Sequence, residues 1–466
     1  MEDLPTPCAS MIANELSSVR IGLKRLDNAK VIWVNERAGA FDREYRGSFA
    51  DEDTYRAHLL DACAFVIARS EPADGYGWAD RYGGAGIGRH GGSGRSAIVN
   101  GYSVKGIGPT PLLGVGEGLA HSSGGAYLEE AIREILFSQL LQRILPHGAL
   151  PILAIIDTGV DQAWHLEDAI KLERRVLIVR PFSLRLAHFE RAYRYCPGNY
   201  QGKRDDMRRV RHNLAIFSDR YGVDWLKRKL ATGYLNWAEQ IAYASIHNLA
   251  LGTSPSNLAL DGGILDFGAV STLPVRANYV TSPGNTVLAE FTKLTDSLAE
   301  LALPAKDFDH SAFRDFDSDL ESRIVDTYER RLLRELLSRI GLGACYEQVA
   351  DDARAREEII RGFLAHHRQA MRLRVDLIAP HYNVTHPALP SLESIWSDDR
   401  AASLQMLAST LERYFPKAEF DPTQPVTDLW SGTRESLRQE VTNYLASCGP
   451  LVDLAEAISY FGTRWA

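Results

Sequence analysis

The sequence predicts an α+β protein of two unequal lobes, on three observations. Short β-branched runs lie among dense glycine up to about residue 125. A helical period begins at Tyr127 and is followed by more strand-like runs, and beyond Pro274 the chain is almost wholly helical in pattern.

The elements follow in order. Residues 30–35 (KVIWVN) and 96–100 (SAIVN) are β-branched runs bounded by glycine or polar residues and predict strands. Glycine across 83–125 is denser than a regular element tolerates, so this stretch reads as loop between strands. YLEEAIREILFSQLLQRIL, from Tyr127, puts Leu128, Ile132, Ile135, Leu136 and Leu140 on one face and predicts an amphipathic helix. Residues 150–156 (LPILAII) and 175–180 (RVLIVR) predict strands, and 222–247 a helix. The short apolar pieces 257–260 and 263–267 flank Asp261-Gly262, a strong hairpin signal. Residues 317–342 predict a helix stopped by Gly341 and Gly343. Further helices are expected over about 346–377, 400–415 and 433–461, with a proline-rich linker at 380–390.

This is the element order of a two-lobed, protein-kinase-like fold with extra C-terminal helices. The boundaries it suggests are an N-terminal lobe over 1–150, a hinge with catalytic and metal loops over 151–275, and a helical extension over 276–466.

Composition narrows the function. A chain of 466 residues, 45% of them hydrophobic, can bury a core of roughly two to four domain-sized units. A net charge of -8 argues against general nucleic-acid binding, which relies on cations that neutralise phosphates. The basic run KRDDMRRVR at 203–211 reads as a solvated face. Five cysteines, odd in number and with no CxxC pair, suggest neither a zinc site nor a disulfide framework. The first residues lack the basic start and apolar run of a signal peptide, and no run of about 18 apolar residues occurs. The expected setting is the cytoplasm, with no membrane partner.

Phosphate chemistry on a nucleotide needs a backbone cradle, a cation on the phosphates and metal ligands. The cradle candidate is 82–95, YGGAGIGRHGGSGR, where glycine lets backbone N–H groups approach phosphate oxygens; a surface loop would look similar. Lys105 closes a short apolar run and is the cation candidate. Glu134, next to Ile132 and Ile135 on the amphipathic helix, would hold it in a strand-lysine to helix-glutamate ion pair, although either residue alone reads as an exposed charge. GGILDFGAV, 262–270, offers Asp266 as a magnesium ligand, with Asn257 across the Asp-Gly turn as a second oxygen donor.

Taken together, these residues resemble the SelO (YdiU) family of protein nucleotidyltransferases, over roughly residues 80–345 with gaps. The family's LGDGRA-type loop is matched by Gly92-Ser93-Gly94-Arg95, and its KGAGxTP segment by Lys105-Gly106-Ile107-Gly108-Pro109-Thr110-Pro111. Its DG pair falls on Glu117-Gly118, its IREFL helix on Ile132-Arg133-Glu134-Ile135-Leu136, and its arginine-rich segment on 180–189. Its second asparagine and DYG aspartate fall on Asn257 and Asp266. The resemblance implies ATP and magnesium as cofactors and transfer of AMP to a hydroxyl of a protein or peptide acceptor. It implies nucleotide contacts from Gly92, Gly94, Arg95, Lys105, Glu117, Gly118, Arg180 and Arg185, with Glu134 orienting Lys105 and Asn257 and Asp266 holding the metal.

Two departures matter. Ser256 stands where the family has its catalytic aspartate, and a serine hydroxyl is too weak to serve as a carboxylate base; His247 and Asp261 are the nearby alternatives. Arg180 and Arg185 are five residues apart where the family pattern has seven. Such divergence suggests a side branch, similar to the MchC-like proteins of peptide natural-product clusters. Three readings follow: a nucleotidyltransferase, a kinase acting on a peptide or protein, and a nucleotide-binding pseudoenzyme or scaffold.

Overall fold

A computed structural model describes residues 15–42, 51–68, 72–84, 90–115, 122–165, 170–195, 202–247, 249–268, 270–272, 280–282, 285–286, 290–369 and 399–416. It is a mixed α+β structure built on one curled antiparallel sheet. The strands are Val19–Arg25 (β1), Lys30–Val34 (β2), Phe65–Ile67 (β3), Gly75–Ala79 (β4), Ser96–Val99 (β5), Tyr102–Lys105 (β6), Ala126–Tyr127 (β7), Ala154–His165 (β8) and Ile170–Pro181 (β9). Their order is β2-β8-β9-β6-β5-β4-β1-β3, with β7 also paired to β9.

The central strand explains its own composition. Val176, Leu177, Ile178 and Val179 are all fully buried, yet successive side chains leave a strand on opposite faces. Val176 and Ile178 enter one core and Leu177 and Val179 the other, so the sequence shows an unbroken apolar run instead of polar alternation. One core is closed by the helix Glu52–Cys63 (α1), through Tyr55 and Leu59. The other is closed by Leu128–Ile144 (α2), through Ala131, Ile132 and Ile135. At roughly 1.5–3 kcal/mol for each large apolar side chain removed from water, these two faces hold the sheet against its helices.

β5 and β6 meet through Asn100 and Gly101, both at positive φ (47° and 90°), as a two-residue hairpin with right-handed twist requires. α2 opens with Glu129 and Glu130, whose charge suits a helix N-terminus. It stops at Leu145, which is extended (ψ 145°) because Pro146 follows.

Beyond the sheet lie Gly202–Tyr221 (α3), Val223–Ile246 (α4), Glu290–Phe308 (α5), Phe316–Arg339 (α6), Ala353–Gln369 (α7) and Asp399–Tyr414 (α8). Gly222, at φ 86°, breaks α3 from α4. A third core, with Leu333, Leu337, Ile359 and Leu411, joins α6, α7 and α8.

Several expectations change. The strand expected from 150 begins at Ala154, because Pro151 has no N–H and Leu150 instead donates to the Ile264 carbonyl (2.8 Å). The 203–211 run is not a solvated face throughout: it lies in α3, where Asp206 and Arg209 are buried. There Arg209 donates to Asp206 (2.8 Å) and to the His188 carbonyl (2.8 Å). The helix expected over 346–377 is interrupted, and Asp352 caps a new start by accepting from the Ala355 N–H (3.0 Å). The proline-rich stretch 380–390 and the helix expected over 433–461 lie outside the described residues. Among the described residues no helix is long and apolar enough to cross a membrane.

Candidate functional site

Strand parity aims the cations. Lys105 lies opposite Ile178, and Arg180 opposite Ser103, so both project from the sheet face that α2 covers. On α2, Glu130 and Glu134 are one turn apart and share a face. Arg95 immediately precedes β5, and its carbonyl accepts from the Gly106 N–H (2.9 Å), which ties it to the end of β6. Asp266 arrives from the other side on the turn that follows 257–265. That turn has the expected hairpin form: Leu258 bridges Ile264, and the Leu265 N–H donates to the Asn257 carbonyl (3.0 Å).

The result is a cluster of three cations and three carboxylates in which Lys105, Glu134 and Arg180 are buried, Arg95 and Glu130 are mostly buried, and Asp266 keeps 36% of its side chain exposed. Lys105 Nζ is 2.8 Å from Glu130, 3.2 Å from Glu134 and 3.7 Å from Asp266. Arg95 grips Glu130 with both guanidinium nitrogens, at 2.8 and 3.0 Å. Arg180 donates to Glu134 at 2.5 Å, and the Phe267 N–H reaches the same carboxylate at 3.4 Å. Arg133 adds a bond to the Gly268 carbonyl (3.1 Å), tying α2 to the Asp266 turn.

These partners keep the carboxylates ionised. Burial alone would raise the Glu130 carboxyl, but Arg95 and Lys105 outweigh it and hold the group at about 2. For Asp266 burial acts the same way, and Lys105, Arg180 and Arg95 hold it well below the usual carboxylate range. Asp266 also has φ 70°, a left-handed conformation that costs a non-glycine residue about 1 kcal/mol or more. Its Oδ1 accepts from the Gly268 N–H (3.2 Å), a local bond that aspartate uses to tolerate such backbone.

The other predicted residues are placed as follows. Gly92 and Gly94 pack against the protein itself. A Cβ on Gly92 would lie 2.3 Å from the Asp80 carbonyl oxygen, and one on Gly94 3.0 Å from Leu113. Glu117 and Gly118 lie outside the described residues. Arg185 belongs to a neighbouring group: it donates to the Ser256 carbonyl (2.5 Å) and stacks over Tyr82 (4.4 Å), with Asp80 at 4.0 Å. Asp80 in turn bonds His188 (2.8 Å). Ser256 is buried, and its hydroxyl meets that of Ser254 at 2.7 Å. Of the alternative bases, His247 bonds Glu335 (2.8 Å), while Asp261 caps its own turn through the Gly263 N–H (3.1 Å).

Glu130 was not singled out by the sequence reading. Its signal was its place four residues before Glu134, on the same helix face.

Asp266 and Asn257, whose carbonyl is tied to the same turn by the Leu265 N–H, supply the donor types of a sparsely held divalent cation. Among the described residues no group of three or more histidine, cysteine or acidic side chains could hold a metal alone. A hard cation here would have the Asp266 carboxylate and the Asn257 amide, with the rest of its shell from water and a ligand's oxygens, as magnesium prefers. Compared with family models and with curated proteins, the chain matches none.

Proposed function

We propose that the protein binds ATP with magnesium and transfers a nucleotidyl group, AMP in the simplest case, to a hydroxyl of a protein or peptide. On this reading the sheet with α2 is the smaller lobe of a kinase-like fold, and the Asp266 turn with the helices beyond it belongs to the larger one. The observation that supports it is the meeting of Lys105, Glu134 and Asp266 within 3.7 Å of one amine, from segments 29 and 132 residues apart. Arginine and lysine suit phosphate oxygens, and Asp266 with Asn257 would hold the metal, which supplies charge neutralisation on the phosphates when bound.

In the transfer, the acceptor oxygen forms a bond to the α-phosphorus, the bond to the bridging oxygen breaks, and pyrophosphate leaves. The hydroxyl proton passes to solvent, since Ser256 cannot take it as a carboxylate would. Positioning and charge therefore carry the catalysis. Incubation with α-labelled and γ-labelled ATP tests this directly. Label from the α position on an acceptor is the expected result. Label from the γ position alone means phosphoryl transfer. Binding with neither label supports a nucleotide-binding scaffold, a second reading favoured by the buried hydroxyl of Ser256 at the position of the family's aspartate.

A further inference from the structure

The nearest carboxylate to the Lys105 amine is Glu130, at 2.8 Å, not Glu134 at 3.2 Å. Glu130 also takes both prongs of Arg95. It therefore holds the two cations in the way a phosphate would, by a paired grip from a planar guanidinium and a point charge from an ammonium. Among the described residues, the ion pairs of this cluster match three cations to three carboxylates, so Arg95 and Lys105 present their charge to Glu130 and not to a polyphosphate while Glu130 stays in place.

The two glutamates of α2 are not equivalent. The Glu134 side chain has no exposed surface and is fixed by Arg180 and the Phe267 N–H, whereas that of Glu130 retains 16% exposure on the first turn of the helix. Glu130 has a path to water. Arg95 would keep its place without it, because Nη1 also donates to the Gly125 carbonyl (3.1 Å).

We propose that Glu130 is a built-in competitor of the nucleotide: its carboxylate occupies Arg95 and Lys105 and must swing away before phosphate oxygens can engage them. This rests on the reading of the cluster as a nucleotide site. Affinity is then reduced by the fraction of molecules in which Glu130 is released.

The test is calorimetric titration of the full chain with magnesium and an ATP analogue non-hydrolysable between the α and β phosphates, and separately with inorganic pyrophosphate. Glu130→Gln, which keeps the shape and removes the charge, should bind both on the order of tenfold more tightly than the wild type. Glu130→Ser, which removes the carboxylate and its bulk, should do the same if the first variant folds poorly. Glu130→Asp, which retains a carboxylate, should stay nearer the wild type. If the wild type binds the analogue and the two uncharged variants bind no tighter, the competitor role is overturned and the nucleotide site stands. If no form binds either ligand, the nucleotide reading falls, and the competitor role with it.

Discussion

Glu134 holds three separate pieces of chain with one carboxylate: Lys105 at the end of β6, Arg180 at the end of β9 and the Phe267 N–H on the Asp266 turn. Removing it would leave the buried Arg180 guanidinium without its paired carboxylate, while Lys105 keeps Glu130 and Asp266; breaking one such buried pair costs about 3–5 kcal/mol. Glu134→Ala should therefore lower the unfolding free energy by about that much in urea titration; a loss below about 1 kcal/mol would show that water reaches the cluster and replaces the carboxylate. Lys105, Glu134 and Asp266 were legible in the sequence because each sits at a recognisable spot: the end of a β-branched run, the inner face of an amphipathic helix, and a turn after an apolar piece. Glu130 was not, because it lies in the first turn of the helix, outside the IREIL stretch whose Ile132 and Ile135 mark the inward face at Glu134. Arg185 was tied to the phosphates by the family resemblance; it lies beyond the end of β9 at Pro181, where its side chain meets Ser256 and Tyr82.

At the scale of the element, the glycine-rich segment gains a second meaning. Gly92 lies against the backbone of Asp80 and Arg81 at φ 152°, and the Ser93 N–H donates to the Asp80 carbonyl (2.9 Å). Gly92→Ala places a methyl where backbone cannot give way and should lower the unfolding free energy by on the order of 2 kcal/mol. Gly94→Ala meets side chains alone, the movable end of Leu113 and the edge of the His90 ring, and should lose much less. Equal losses in thermal melts of the two variants would rule out backbone contact as the reason. Apolar runs located β2, β5, α2, α4 and β9 well. Their ends were harder, because β8 and β9 extend through polar residues past the sheet, to His165 and from Ile170, where only pairing with each other sustains them. α3 was missed because its first turns look like a charged surface; the burial of Asp206 and Arg209 is a tertiary event, decided by the carbonyls of His188 and Glu190 that Arg209 reaches.

Across the whole molecule, Glu190, at the end of the turn 186–189 that follows β9, links that segment to two helices: its Oε1 accepts from Tyr234 on α4 (3.1 Å) and from Ser297 on α5 (2.5 Å). Burial pushes its carboxyl up to about 8, against the smaller pull of those two hydroxyls. The folded protein thus holds a proton that the unfolded chain, titrating near the ordinary glutamate value, gives up. The stability this group contributes is full below that ordinary value and is lost as pH rises through about 8. Glu190→Gln should flatten this fall, so that its unfolding free energy relative to the wild type rises between pH 5 and pH 9; parallel pH profiles would show that the carboxyl is ionised in the fold. The mixed α+β class was legible from periodicity, but the division into three cores was not, since it depends on which face of β9 each helix covers. That shared strand has a last consequence. Because Lys105 and Arg180 are aimed by odd–even parity, an insertion or deletion of one residue in β6 or β9 would exchange the residues facing one core for those facing the other. The charges would then be driven among Leu177 and Val179. Chain length in these two strands is thus held by the ion cluster, and loops elsewhere are free to lengthen.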